Sequence, residues 1–412
     1  MITALLLSLA LVGCSGIQQS EKSPNSKEEK SEACNADNND ESSIENNTNE
    51  KDNLKEDGGK NKVDAHINEI LETMTLHEKI CQMFIVIPEV LTGVDKVTMA
   101  GEITEKKLEE YPVGGMIYME YNLVSKEQTV EMISKTQKFA KKNHGIGMFI
   151  SVDEEGGKVA RCAESLGTTQ FKPMYEYKEE GTPTAYQNAK KIGSDIKQFG
   201  FNLDYAPIAD TWSNPENQII GTRAYSDDFE ETAELVEAAV KGYCDGGVLT
   251  TLKHFPGHGD TQTDSHVGIA TSDKTIEQLE KEEYLAFERG IKAGADMVMM
   301  GHITMNSVDK LPATLSYEMV TNQLRNKLGF KKVIITDAMN MGAIANNYTV
   351  EEGTIKAIQA GNDIILMPMD IERAVKSVED AVANGTITEE RIEESVKRIF
   401  ILKIQMGLLD ME

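Results

Sequence analysis

Eight short apolar runs, spread along residues 63–412, constrain the fold of this chain more than any other feature. They fall at 84–87 (FIVI), 114–119 (GGMIYM), 148–152 (MFISV), 201–206 (FNLDYA), 248–254 (VLTTLKH), 296–301 (DMVMMG), 333–336 (VIIT) and 363–367 (DIILM). Each is shorter than a typical helix and bounded by polar or turn-forming residues, so each reads as a strand buried on both faces. Longer stretches with helical spacing separate them, at 125–142, 185–199, 228–245, 275–292 and 317–328, and a last one follows at 387–404. A parallel sheet covered by helices on both sides fits this alternation. Eight such units predict an α/β fold of the (β/α)8 TIM-barrel type, formed as a single domain over 63–412. A doubly wound open sheet is the alternative. No Gly-x-Gly-x-x-Gly follows the first strand, which weakens a dinucleotide-binding version of it.

The residues before 63 have a different character. Residues 1–14, MITALLLSLALVGC, form an apolar run too short to span a bilayer as a helix. They read as an export signal, and Leu11-Val12-Gly13-Cys14 resembles a bacterial lipobox with Cys14 as the lipidated residue. No Lys or Arg precedes the run. Residues 15–62 carry no aromatic side chain and consist mainly of Glu, Lys, Asn, Ser and Asp. Such a stretch buries too little apolar surface to offset ordering, so a disordered tether is expected. A flexible coil of that length spans ~35–40 Å root-mean-square. An exported lipoprotein, anchored to the membrane by its lipid alone, is therefore expected. The net charge of −26 excludes nucleic acid as the expected partner, because an acidic surface repels phosphate. The five cysteines show no paired spacing, and Cys81 and Cys244 read as buried thiols in helices.

The ionisable residues follow the strands. Asp153 follows FISV, Lys253 and His254 end VLTTL, His302 follows VMMG, and Asp337 follows VIIT. In a barrel these strand ends converge on the face that holds the active site. An Asp after a strand is also a common helix cap, but that explanation does not cover the whole set.

The densest chemistry lies at 253–270, KHFPGHGDTQTDSHVGIA, where three of the seven histidines fall within thirteen residues. His254, His258 and His266, with Asp260 and Asp264, could ligate a metal. Pro256, Gly257 and Gly259 argue against a regular helix presenting His254 and His258 on one face. The other reading is acid/base catalysis by Asp264 and His266. A carboxylate two residues from an imidazole can accept from one ring nitrogen and aim the other at a substrate. No Gly-x-Ser-x-Gly is present, so a nucleophile other than serine is needed.

KHFPGHGDTQTDSH resembles the signature of the N-acetylglucosaminidase branch of the family 3 glycoside hydrolases. VDEEGGKVAR (152–161), GTRAYS (221–226) and LRNKLGFKKVIITDAMNMGAI (324–344) resemble further motifs of that family, in its order. The resemblance implies a retaining β-N-acetylglucosaminidase, with Asp337 as nucleophile and His266, oriented by Asp264, as general acid/base. It implies substrate contacts from Asp153, Arg161, Arg223, Lys253 and His254. It implies no cofactor and no metal, a carbohydrate substrate from peptidoglycan or chitin fragments, and a monomer. His258 would shape the loop, His302 would sit at the rim or in the packing, and Trp212 would pack a loop. Ala338 and Thr336 depart from the family pattern, which often has Asp and Ser there. A phosphorylase on the same site is the near alternative. A zinc hydrolase and a sugar-binding lipoprotein are more distant ones.

Overall fold

A computed structural model of the chain describes residues 49–261, 268 and 270–411. Eight strands occur at the eight apolar runs: β1 (Phe84–Val86), β2 (Gly115–Ile117), β3 (Phe149–Val152), β4 (Leu203–Asp204), β5 (Thr251–Phe255), β6 (Met297–Met300), β7 (Val333–Thr336) and β8 (Ile365–Leu366). Every residue in them is buried, which is why the runs are apolar throughout rather than alternating. One sheet runs β8-β1-β2-β3-β4 and a second runs β7-β6-β5. All pairings within these two sheets are parallel. Single parallel bridges, Leu203 to Leu249 and Ile335 to Ile364, link the sheets at both ends. The architecture is a TIM-barrel-like α/β fold.

Helices connect consecutive strands, and their starts are written in the sequence. Ser125, Asp228, Asp370 and Thr388 each cap a helix by accepting a backbone N–H three residues on. Thr75 and Glu78 form a reciprocal capping box before β1. The stretch 317–328 is wound as a π-helix, Glu318–Lys327. Two short strand pairs had no counterpart in the apolar pattern: an antiparallel hairpin of Glu154–Gly156 with Val159–Ala160, and a parallel pair of Ala270–Ser272 with Ile303–Met305.

Helix Asn49–Thr73 crosses the boundary at 62 that the composition placed between tether and domain. Its Ile67 and Leu71 are buried in the core, which ties this end of the helix to the body. Cys81 is a buried free thiol as expected, whereas Cys244 is disulfide-bonded.

Charged groups lock the amino ends of the strands. Asp363, just before β8, is fully buried and pairs with Arg325 at 2.6 Å and Arg398 at 2.9 Å. It also accepts from the Ile334 backbone N–H of β7 at 2.9 Å. Burial pushes its carboxyl pKa up, but the three guanidiniums of Arg325, Arg398 and Arg391 outweigh that and hold it below the ordinary carboxylate value. This staple leaves the opposite, carboxyl ends of the strands to carry chemistry.

Candidate active site

A cavity of about 310 Å³ opens at the carboxyl ends of the strands. Asp153, Arg161, Arg223, Lys253, His254 and Asp337 all line it, although they are spread over nearly half of the sequence. Each owes its place to a strand end or to a turn that follows one. Asp153 comes directly after β3, Lys253 and His254 lie in β5, and Asp337 comes directly after β7. Arg223 closes the short 3-10 turn Gly221–Arg223. Arg161 follows the hairpin after β3.

Four of the lining side chains form one ionic cluster. Lys253 Nζ lies 2.8 Å from Asp153 and 2.7 Å from Glu155. Arg223 donates from Nε at 2.9 Å and Nη2 at 2.8 Å to the two oxygens of Glu155. Glu155 is almost fully buried. Burial pushes its carboxyl up, and the nearby Arg223 and Lys253 charges reverse this and hold it far below the usual carboxylate range. For Lys253, burial pulls down, while Asp153 and Glu155 hold the ammonium above its ordinary value. Both cations therefore stay charged without facing water. The sequence reading missed Glu155. It stands two residues after Asp153, and on extended backbone such residues share a face; that spacing was the available signal.

Asp337 is 9% exposed, so it is reached only through the cavity. The Ala338 N–H donates to Asp337 Oδ1 at 2.7 Å, which fixes the carboxylate. Burial pushes this group up as well. The charges of His302, His254 and Lys253, with the Ala338 N–H, outweigh burial and set it below its ordinary value. Asp337 is thus an ionised carboxylate at neutral pH. His302 does not line the cavity: its ring contacts Thr314 Oγ1 at 2.8 Å and the Ala338 carbonyl at 3.0 Å, so it braces the turn that holds Asp337. The two departures at 336 and 338 have local explanations. Thr336 Oγ1 accepts from the Leu366 N–H at 3.0 Å and so ties β7 to β8, while Ala338 acts through its backbone.

Asp210 organises the start of the histidine-rich segment. One of its oxygens accepts from the backbone N–H groups of His254 at 3.1 Å and His258 at 2.7 Å. The other lies 2.8 Å from His254 Nδ1. The segment needs its glycines for two separate reasons. Gly257 has φ of +131°, which side-chain-bearing residues rarely adopt. At Gly259 a Cβ would stand 1.7 Å from the Thr211 carbonyl oxygen. His258 is buried, and its Nδ1 lies 2.7 Å from Thr261 Oγ1. Burial and the His254 charge set its imidazole below the ordinary value, despite Asp210 and Asp337. The sequence reading missed Asp210 because the apolar run was closed at 206, four residues short.

Arg161 lines the cavity with a buried Nε that has no hydrogen-bond partner, and it makes no ion pair among the described residues. Trp212 packs edge-on against Tyr175, with ring centroids 5.0 Å apart, and does not line the cavity. Asp264, His266 and Cys14 lie outside the described residues. Among the described residues, no group of three or more His, Cys, Asp and Glu side chains could hold a metal ion, and no helix is long and apolar enough to cross a membrane.

The Glycosyl hydrolase family 3 N terminal domain matches residues 75–402, a span that contains all eight strands and every described site residue. The chain belongs to glycosyl hydrolase family 3. Family 3 relatives include "Beta-hexosaminidase A" of Pseudoalteromonas piscicida, 32% identical over 335 residues that cover 75% of this chain and 56% of the relative. "Beta-hexosaminidase" of Xylella fastidiosa (strain M23) is 32% identical over 284 residues, covering 67% of this chain and 82% of the relative. A solved family 3 beta-N-acetylglucosaminidase from Paenibacillus sp. str. FPU-7 superposes with a TM-score of 0.77 at 35% identity, covering 82% of this chain and 63% of that one. This family 3 chain therefore spans less than two thirds of two of these three relatives.

Proposed function

We propose that the chain is a retaining exo-β-N-acetylglucosaminidase that removes terminal N-acetylglucosamine from peptidoglycan or chitin fragments. The observation that carries this reading is the ionised Asp337 facing the cavity that also holds the Asp153–Lys253–Glu155–Arg223 cluster. A glycosidase nucleophile must be an unprotonated carboxylate within reach of the anomeric carbon. A cavity of about 310 Å³ is at the small end of ligand pockets and suits one sugar ring. The names of the beta-hexosaminidase relatives and of the solved beta-N-acetylglucosaminidase support the same substrate.

In the proposed reaction an Asp337 oxygen attacks the anomeric carbon as the bond to the leaving oxygen breaks. His266 gives that oxygen its proton. The product of this step is a glycosyl ester on Asp337. A water molecule, losing its proton to His266, then attacks the same carbon and frees the Asp337 carboxylate. Two inversions give net retention. Asp264 would orient the His266 ring. Asp153, Lys253, His254, Arg223 and Arg161 would bind the sugar, and the buried unpartnered Nε of Arg161 is a donor available for this. The two sheets and their linking bridges support reading the fold as one closed (β/α)8 barrel. We further propose that Cys14 is lipidated and anchors an exported, monomeric enzyme to the membrane; absence of label after growth on a tagged fatty acid would remove the anchor from the account.

Product analysis tests the activity. The reading expects a p-nitrophenyl β-N-acetylglucosaminide to release free N-acetylglucosamine, first as the β-anomer, with or without phosphate. Accumulation of sugar-1-phosphate when phosphate is added would establish a phosphorylase instead.

A further inference from the structure

We propose that Asp210 is a positioning residue for the proposed reaction, fixing His254 as a cation on the cavity wall that it shares with Asp337. The inference rests on the glycosidase reading for its consequence, but the arrangement itself can be tested without any turnover. Asp210 is fully buried, is not among the cavity-lining residues, and holds the Nδ1 edge of His254 at 2.8 Å. A carboxylate there favours the doubly protonated ring, because only that form offers both an ion pair at Nδ1 and a donor at Nε2. The same carboxylate accepts from the backbone N–H groups of His254 and His258, so neither the ring nor its backbone can turn away.

Charge balance gives a second argument. Four carboxylates, Asp153, Glu155, Asp210 and Asp337, surround or back the cavity, and three permanent cations, Lys253, Arg223 and Arg161, answer them. Lys253 and Arg223 are already committed to Asp153 and Glu155. A charged His254 supplies the fourth positive charge, on the wall that it shares with Asp337. His258 stands edge-on to it at 5.8 Å between ring centroids, and burial beside this cation sets His258 below the ordinary imidazole value. Asp337 also feels His302 and Lys253, so losing the His254 charge should weaken the stabilisation of its anion without abolishing it.

The test is the ring-nitrogen NMR signature of His254 in the full chain, assigned by its loss in His254→Gln. The wild-type ring is expected to stay a cation to a higher pH than the ring of Asp210→Asn, which retains an acceptor for the two backbone N–H groups. The catalytic consequence is read from kcat/KM against pH on an aryl N-acetylglucosaminide. Both Asp210→Asn and His254→Gln are expected to move the acid limb upward, by about one unit for a tenfold loss of Asp337 stabilisation. A neutral wild-type His254 at pH 6 would overturn the proposal, as would acid limbs unmoved in both variants. If Asp210→Asn does not fold, the wild-type ring signal and the His254→Gln limb still decide. A wild-type protein with a cationic His254 but no glycosidase turnover would refute the activity reading and leave the arrangement standing.

Discussion

Glu155 stands 2.7 Å from Lys253 at a point where their side chains are 1% and 2% exposed, so neither charge has water to fall back on. A buried ion of this kind is stable only while its partners are present. Arg223 depends on the same carboxylate through two further hydrogen bonds. The three side chains come from the hairpin after β3, from β5 and from the turn at 221–223, so the cluster ties three parts of the cavity wall together.

Glu155→Ala removes the shared partner of two buried cations. The expected cost is about 3–5 kcal/mol of unfolding free energy, the range for breaking a buried pair from one side. Urea denaturation of the variant beside the wild type measures it. Because the folded carboxyl lies below its unfolded value, this contribution is complete at neutral pH and is lost only as the pH falls through the depressed value. The stability difference between the two proteins should therefore be flat from pH 8 to pH 5.

Lys403 gives a dependence of the same sense in a higher pH window. It is fully buried near the amino ends of the strands, donates to Gln82 Oε1 at 2.7 Å, and lies over the Phe149 ring. Burial pulls its ammonium down to about 7. Below that pH the fold must hold an ammonium ion out of water; between about 7 and the ordinary lysine value the unfolded chain binds the extra proton, so this residue's contribution to stability rises with pH. Lys403→Met is expected to raise Tm at pH 6 and to gain progressively less as the pH approaches 10. An advantage of constant size across that range would refute the assignment.

Much of this fold was legible because buried parallel strands are apolar on both faces and their spacing is regular. The eight runs marked the eight strands, and the strand-end rule brought Asp153, Lys253, His254 and Asp337 to one cavity. What escaped was information carried by backbone rather than by residue type. The hairpin of Glu154–Gly156 with Val159–Ala160 has no apolar pattern to betray it, and it places Glu155 inward. Asp210 lies beyond the end of an apolar run, on chain that continues parallel to β5 through an isolated bridge from Ile208 to Lys253. For His302, which follows a strand, the sequence left the rim and the packing open. Its ring contacts with Thr314 and the Ala338 carbonyl put it in the packing that supports the Asp337 turn.

The acid/base assignment is open to a kinetic test. If His266 protonates the leaving oxygen, His266→Ala should slow N-acetylglucosaminides with poor leaving groups by about 10²–10⁴-fold. Substrates with a p-nitrophenolate or better leaving group need less assistance and should lose much less. Equal losses for both kinds of substrate would assign the proton transfer to another group.

The central claim is that the carboxylate after β7 forms the bond to sugar. Asp337→Ala tests it most directly, with turnover of p-nitrophenyl β-N-acetylglucosaminide measured beside the circular dichroism spectrum. A native spectrum with turnover reduced by at least about 10⁴-fold is the expected result, in the range for loss of a catalytic nucleophile. A folded variant that still hydrolyses the substrate at a rate near that of the wild type would contradict the account.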